Sequence, residues 1–229
     1  MSTSPAHKWL RGMSAVFMKD LHLELRNRYA LNVLLMFVLS SSLVVAFSVG
    51  AESVSTRTQA ALLWIVITFS ASLGLGRTFI AEEERGTVLL LQLNIPGSQI
   101  FAGKLLFNTA LILSVNIIVL FVLTFLLNTR ITDWPLMIAT MLLGSIGLAG
   151  ATTLLSAIVA RAASSSALLP VLLLPLLFPL LLSVVHATQN SLPDGLGLNA
   201  SIDHLVTLFA FAGVVISASV LLFDYVWND

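Results

Sequence analysis

The chain has 229 residues, of which 58% are hydrophobic and only 10% charged, with a formal net charge of zero and a mean hydropathy of +1.00. Soluble domains carry about 25% charged residues, so this composition excludes an ordinary soluble domain and points to an integral membrane protein. Cysteine is absent, which excludes disulfides, thiolate chemistry and cysteine metal sites.

Residues 8–28 predict an amphipathic helix lying on a membrane surface. Leu10, Met13, Phe17, Leu21 and Leu25 recur at spacings of three and four, while Arg11, Lys19 and Arg26 lie around the other side, suited to anionic lipid headgroups. Six apolar runs follow, at 31–49, 60–76, 105–127, 135–160, 167–187 and 205–223. Each reaches or approaches the roughly 20 residues that cross a bilayer, and none alternates with period two, so helices are expected rather than barrel strands. No cleavable leader is expected, because the first run starts only after about thirty residues and is long enough to span. The expected fold is an all-α integral membrane protein, a single transmembrane domain over 1–229.

None of the 22 charged residues falls inside these six runs. Proton- or ion-driven transporters keep an ionisable group within the membrane to partner the coupled charge. Energy for uphill transport is therefore expected from another subunit. The chain itself has no G-x-x-x-x-G-K-[ST] phosphate loop and no nucleophile–base set, so neither nucleotide binding nor catalysis is expected on it.

If the spans alternate, Lys8, Arg11, Lys19, Arg26, Arg28, Arg77, Arg85, Lys104 and Arg161 share one side, and only Arg57 and Arg130 face the other. By the positive-inside rule the N-terminus is cytoplasmic, and an even span count returns the C-terminus to the same side.

The segment 77–104 stands apart: Glu82, Glu83, Glu84, Arg85 and Gly86 interrupt the apolar pattern. The second span is expected to continue through residue 85. Residues 88–93 then predict a short apolar helix, ended at Ile95-Pro96-Gly97, with Ser98 as N-cap of a helix leading into the third span. An apolar stripe beside a carboxylate cluster suits docking on a soluble protein, with the stripe in a groove and the glutamates on its basic rim. Metal binding is not expected, since consecutive glutamates point about 100° apart on a helix and do not converge.

Several further residues invite a role. His186 and His204 flank the outer segment 188–203, where a histidine at each end could supply axial ligands, against the plainer reading of interfacial histidines meeting water. Gly144, Gly147 and Gly150 allow close helix approach, either at a subunit interface or within the chain. Pro170, Pro175 and Pro179 each remove a backbone hydrogen bond in span five. Asn108, Asn116 and Thr124 are spaced by eight along span three as a polar seam.

This arrangement resembles the transmembrane subunits of ABC-2-type ABC transporters, with their amphipathic N-terminal helix, six spans and coupling helix between spans two and three. More closely it is similar to the CcmB family, the heme exporter permease subunits of cytochrome c maturation. The residues that carry this are the run from Lys19-Asp20-Leu21 to Arg26, and Glu82-Glu83-Glu84-Arg85-Gly86-Thr87-Val88-Leu89-Leu90-Leu91. Pro96, Gly103-Lys104-Leu105-Leu106-Phe107-Asn108 and the Leu- and Pro-rich fifth span complete the likeness. Leu89 stands where the family often has an acid, and residues 225–229 have no counterpart.

The resemblance implies that Glu82, Glu83, Glu84, Arg85, Gly86, Leu89, Leu90 and Pro96 couple the chain to a cytoplasmic ABC ATPase that hydrolyses ATP. It also implies a self-dimer in the complex, a heme-handling membrane protein with a small helper subunit, and a place in the bacterial inner membrane in contact with lipid, with no nucleic-acid partner. Heme is the implied substrate, delivered to a periplasmic heme chaperone; no resident cofactor or metal is expected. The alternatives are an ABC-2 permease for another amphiphile (drug, lipid or glycan) and a non-transporting membrane scaffold of cytochrome maturation.

Overall fold

Helices alone make up the regular structure of the computed structural model, which describes residues 5–49, 54–75, 79, 82, 86–161 and 168–228. In chain order they are α1 (Pro5–Asn27), α2 (Tyr29–Val49), α3 (Thr56–Leu75), α4 (Val88–Asn94), α5 (Gly97–Leu126), α6 (Trp134–Arg161), α7 (Leu168–Ser191), α8 (Gly197–Ala200) and α9 (Ile202–Asn228). Six of these, α2, α3, α5, α6, α7 and α9, are long and apolar enough to cross a membrane.

The spanning helices outrun the apolar runs that signalled them. α3 begins at Thr56, α5 at Gly97, and α7 continues to Ser191. Hydropathy marks where a helix meets hydrocarbon, whereas hydrogen bonding lets the helix run on past that boundary. The consequence is largest in α5, which draws Lys104 into a continuous helix. The expected continuation of the second span through Glu83, Glu84 and Arg85 lies outside the described residues, as does the start of the fifth span at residue 167.

Helix α6 is the axis of the bundle: 72% of its span is buried, against 17% for the α2 span and 22% for the α9 span. Its glycines explain how neighbours come so close. A Cβ on Gly144 would lie 2.4 Å from Cη2 of Trp64 on α3, and one on Gly147 would lie 2.5 Å from Leu180 on α7. Gly150 faces Val215 on α9. The small-residue stripe is thus consumed by packing within the chain, the usual route to helix association where lipid removes the hydrophobic drive. Trp64 is fixed over Gly144 by its Nε1–H, which donates to Thr188 Oγ1 at 2.8 Å.

The prolines of span five do not break it. α7 runs unbroken through Pro175 and Pro179, both on its exposed face, while Leu169, Leu173, Leu177, Leu180, Val184 and Ala187 line the buried one. The missing N–H groups fall away from the packed face.

The expected polar seam on span three is present in part. Asn108 Nδ2 donates to Thr153 Oγ1 at 2.8 Å and Asn116 Nδ2 to Ser145 Oγ at 2.7 Å, joining α5 to α6. Thr124 instead returns its hydroxyl to the carbonyl of Leu120 in its own helix.

At the end of the bundle beyond Leu126, a hydrogen-bonded belt holds the connections. The N–H groups of Thr132 and Asp133 donate to Ser191 O, and Asp133 accepts from Leu136 N at 3.0 Å and Leu198 N at 2.9 Å. Asn190 Nδ2 donates to Ser201 Oγ at 2.9 Å. The turn read at 193–197 is present, with Asp194 in the left-handed region at φ 65°.

Filling the Gly144 contact tests the α6 axis. Gly144→Val drives a branched side chain into the Trp64 ring and is expected to cost about 1–3 kcal/mol or more. The readout is a lower unfolding temperature in detergent, with Gly213→Ala, which meets open space, as the neutral comparison.

Candidate functional site: a buried charge cluster beneath a short exposed helix

The site is built from α1 upward. α1 stops at Arg28, whose φ of 51° takes the chain out of the helix. Glu24 Oε1 then accepts from Leu31 N at 2.8 Å, placing a carboxylate on the first turn of α2. α1 lies along the beginning of α5. Gly103 permits this, because a Cβ there would sit 2.8 Å from the carbonyl oxygen of Met13 and 2.7 Å from Val16. Ser98 lies inside the first turn of α5, with Pro96 at the cap position, and its Oγ accepts from Trp9 Nε1 at 3.4 Å. The expected capping role of Ser98 is therefore not the one observed.

Four charges meet where α1 crosses α5. Lys104 Nζ donates to Asp20 Oδ2 and to Glu82 Oε1, each at 3.1 Å. Lys19 Nζ lies 3.4 Å from Asp20 Oδ1 and hydrogen-bonds Glu82 Oε1. The Thr87 hydroxyl donates to Glu82 Oε2, and Thr87 N donates to Glu82 O at 3.1 Å. Lys104, Glu82 and Asp20 are 1%, 4% and 7% exposed, so the pairs sit largely out of water. Among the described residues, two ammonium groups meet two carboxylates here. The underside is aromatic: Lys104 Nζ stands 5.0 Å from the centroid of Phe79, which packs on Phe223 of α9, and Phe223 packs on Phe101.

Burial alone would push the Glu82 carboxyl upward. The Lys104 charge and the hydrogen bonds from Lys19 and Thr87 outweigh it and hold the group down at about 2, from an ordinary 4.5.

This arrangement corrects two expectations. Glu82 is turned inward and its oxygens are satisfied within the chain, so it does not offer a carboxylate to a partner's rim. Lys19 is drawn into the same cluster rather than lying with Arg11 and Arg26 among headgroups. Glu83, Glu84 and Arg85 lie outside the described residues.

α4 stands directly on the cluster. Thr87 precedes it, and Gly86 supplies a φ of 66° that an L side chain adopts only with strain. Val88 and Leu91, one turn apart, are buried against Ile100, Phe101 and Phe223. Leu90 and Leu93, also three apart, are 62% and 82% exposed. The helix is thus two-faced, one face anchored and one open. The helix ends at Asn94, ahead of Ile95-Pro96-Gly97 as expected; Pro96 is exposed and Leu89 belongs to α4.

Sequence reasoning missed Asp20, Lys104, Thr87, Phe79 and Phe223 as members of one site. The Lys19-Asp20 pair and a lysine at the brink of the third apolar run were the available signals. The two remaining candidates, His186 and His204, lie at the other end of the bundle, on α7 and α9.

Six apolar spans, with a two-faced helix on an ion-paired platform between the second and third, define a polytopic membrane protein. Residues 11–223 match the family model described as CcmB protein, and the chain belongs to this family, the membrane permease components of ABC transporters of heme export and cytochrome c maturation. The match ends at Phe223, before the tail that had no counterpart. A search of curated proteins finds no match.

Removing one member of the cluster leaves its partners buried and unbalanced. Lys104→Met is expected to destabilise the protein by about 3–5 kcal/mol, and Asp20→Asn in the same chain to restore part of the loss by returning the remaining Lys19–Glu82 pair to neutrality. Thermal unfolding in micelles reads both.

The acid response follows from Glu82. Its folded value lies below its unfolded one, so its contribution is complete above the unfolded value of 4.5 and is lost as pH falls through about 2. Proteolysis of the α1–α2 junction is expected to be unchanged down to about pH 5 and to rise only in stronger acid.

Proposed function

We propose that this chain converts closure of a separate cytoplasmic ABC ATPase into movement of spans two and three, in the service of heme export and delivery to a periplasmic heme chaperone. The observation that carries the reading is α4: a short helix that presents Leu90 and Leu93 to solvent while its other face and its N-terminal threonine are tied to α1, α5 and α9. Two exposed leucines one turn apart match helix-in-groove recognition, in which a few apolar anchors enter a hydrophobic cleft. Family membership supports the ABC assignment and the heme context.

On this reading the end of the bundle bearing α1 and α4 is cytoplasmic, with both termini on that side of the bacterial inner membrane. The basic residues of α1 and of the segment before α5 favour that orientation. The working complex holds two copies of this chain and two ATPase subunits, beside a heme-handling membrane protein and its small helper.

Leu90→Asp with Leu93→Asp is expected to abolish co-purification with the ATPase and to leave ATP hydrolysis insensitive to this chain, at normal membrane levels. Retained association and stimulation would remove α4 from the coupling role. For the substrate, deletion is expected to eliminate holocytochrome c while other exports continue. Intact holocytochrome c after deletion favours a permease for another amphiphile.

A further inference from the structure

We propose that the outward face of α1 is a binding site for anionic phospholipid headgroups, which hold this helix, and with it Lys19 and Asp20 of the charge cluster, down on the membrane surface. The structure divides the apolar residues of α1 differently from the sequence. Val16 is buried, and Phe17 and Leu21 pack on the core of the bundle, so these three serve the protein. Leu10, Met18 and Leu25 are left 51%, 50% and 56% exposed. At about 100° per residue they fall within about 80° of one another, a single stripe with no protein partner.

The charge beside that stripe identifies what covers it. Lys8, Arg11 and Arg26 are exposed and make no ion pair with another described residue. They fall within about 60° of one another, along one flank of the stripe. The two acids of α1 are withdrawn from this face: Asp20 is buried on Lys104, and Glu24 accepts from Leu31 N. An apolar stripe bordered by cations, with the helix's own carboxylates turned away, fits the boundary between acyl chains and anionic phosphates.

Three ties fix the roll of α1 and keep this face outward: Trp9 on Ser98, Asp20 on Lys104, and Glu24 on Leu31 N. Arg11 and Arg26 stand about 22 Å apart along the helix, at about 1.5 Å per residue. No single phosphate bridges that distance, so a layer of headgroups fits and a lone soluble anion does not. The apolar span of α2 begins at Leu31, shortly after Leu25, which sets the stripe at the edge of the hydrocarbon rather than out in solution. The site needs no assumption about the cargo, and it is separate from the exposed leucines of α4.

The chain has no cysteine, so Ser14→Cys, at an exposed position on the stripe between Leu10 and Met18, places a single nitroxide label in the full-length protein. In phosphatidylcholine mixed with phosphatidylglycerol the label is expected to be immersed, reached by oxygen and shielded from a water-soluble relaxing agent. In phosphatidylcholine alone it is expected to be released to water. Arg11→Gln or Arg26→Gln lowers the ratio of immersed to released label about fivefold, and the triple variant with Lys8→Gln on the order of a hundredfold. Salt at about 1 M reproduces the triple variant, because the screening length shrinks to about 3 Å. Arg130→Gln, at the other end of the bundle, changes nothing. The parent is also expected to unfold at a higher temperature with phosphatidylglycerol than without it. The triple variant loses that gain while matching the parent in phosphatidylcholine alone. Equal immersion in the two lipid mixtures, or a triple variant as immersed as the parent, overturns the site, and absence of the thermal gain overturns its hold on the cluster. Immersion brought about by inorganic phosphate in phosphatidylcholine alone assigns the face to a soluble anion instead. Shielding of the label by the ATPase, with no response to phosphatidylglycerol, assigns it to that partner and overturns the lipid site.

Discussion

The rest of the structure depends on one electrostatic constraint: Glu82 must stay ionised, out of water, between two ammonium groups. Burying a lone charge costs several kcal/mol even after relaxation, so the carboxylate is tolerable only while Lys104, Lys19 and Thr87 all reach it. Those three side chains come from α5, from α1 and from the residue that precedes α4. Asp20 joins the set by accepting from Lys104. An apolar cluster of equal volume would hold the helices together as firmly. What the ionic set adds is register, because a slip of one residue along α1 or α5 would leave two charges buried and unmatched.

The two ends of the bundle are held by different chemistry. At the α1 and α4 end the contacts are ion pairs and aromatic rings, long-reaching and tolerant of small rotations. At the other end they are short hydrogen bonds from backbone N–H groups to the Ser191 carbonyl and the Asp133 carboxylate, which tolerate little. Between them the spans pack through glycine gaps and isolated amide–hydroxyl bonds, as helices must where lipid competes on equal apolar terms. α5, 30 residues long, covers about 45 Å and joins the two regimes. It carries Lys104 near its beginning and ends close to the belt, so in the proposed coupling a displacement at the charged end would be delivered as a tilt of one helix.

Much of the fold was legible in the sequence because hydropathy and span length depend on composition alone. All six spans and the short helix between the second and third were readable from apolar runs and from Ile95-Pro96-Gly97. The direction in which a side chain points was not. A run of three chemically identical glutamates does not reveal that Glu82 turns inward, which depends on the crossing of α1 over Gly103. Lys104 looked like a flank of an apolar run, since a buried lysine is recognisable only when its two carboxylates are known. His186 and His204 were readable as candidates, but their proximity depends on the belt that folds the segment 192–201 back on itself. Gly144 and Gly147 illustrate the same gap, because the stripe is visible in sequence while its partners Trp64 and Leu180 are not.

In the coupling role proposed for it, so short a helix as α4 draws its firmness from the charge cluster. Isolated helices below about 12 residues are marginal in water, since nucleation costs more than a few hydrogen bonds return. α4 has seven residues, so its existence depends on what holds it. Val88 and Leu91 bury one face, and Thr87 ties its first turn to the Glu82 carboxylate, itself ion-paired to α5 and α1. A load on Leu90 and Leu93 therefore meets a helix that cannot melt without exposing a buried charge. Unfolding is the soft response open to most surface helices of this length, and here it is the costly one. The remaining response is to move as a body with α1 and α5, which is what a coupling element between a soluble motor and a membrane bundle requires.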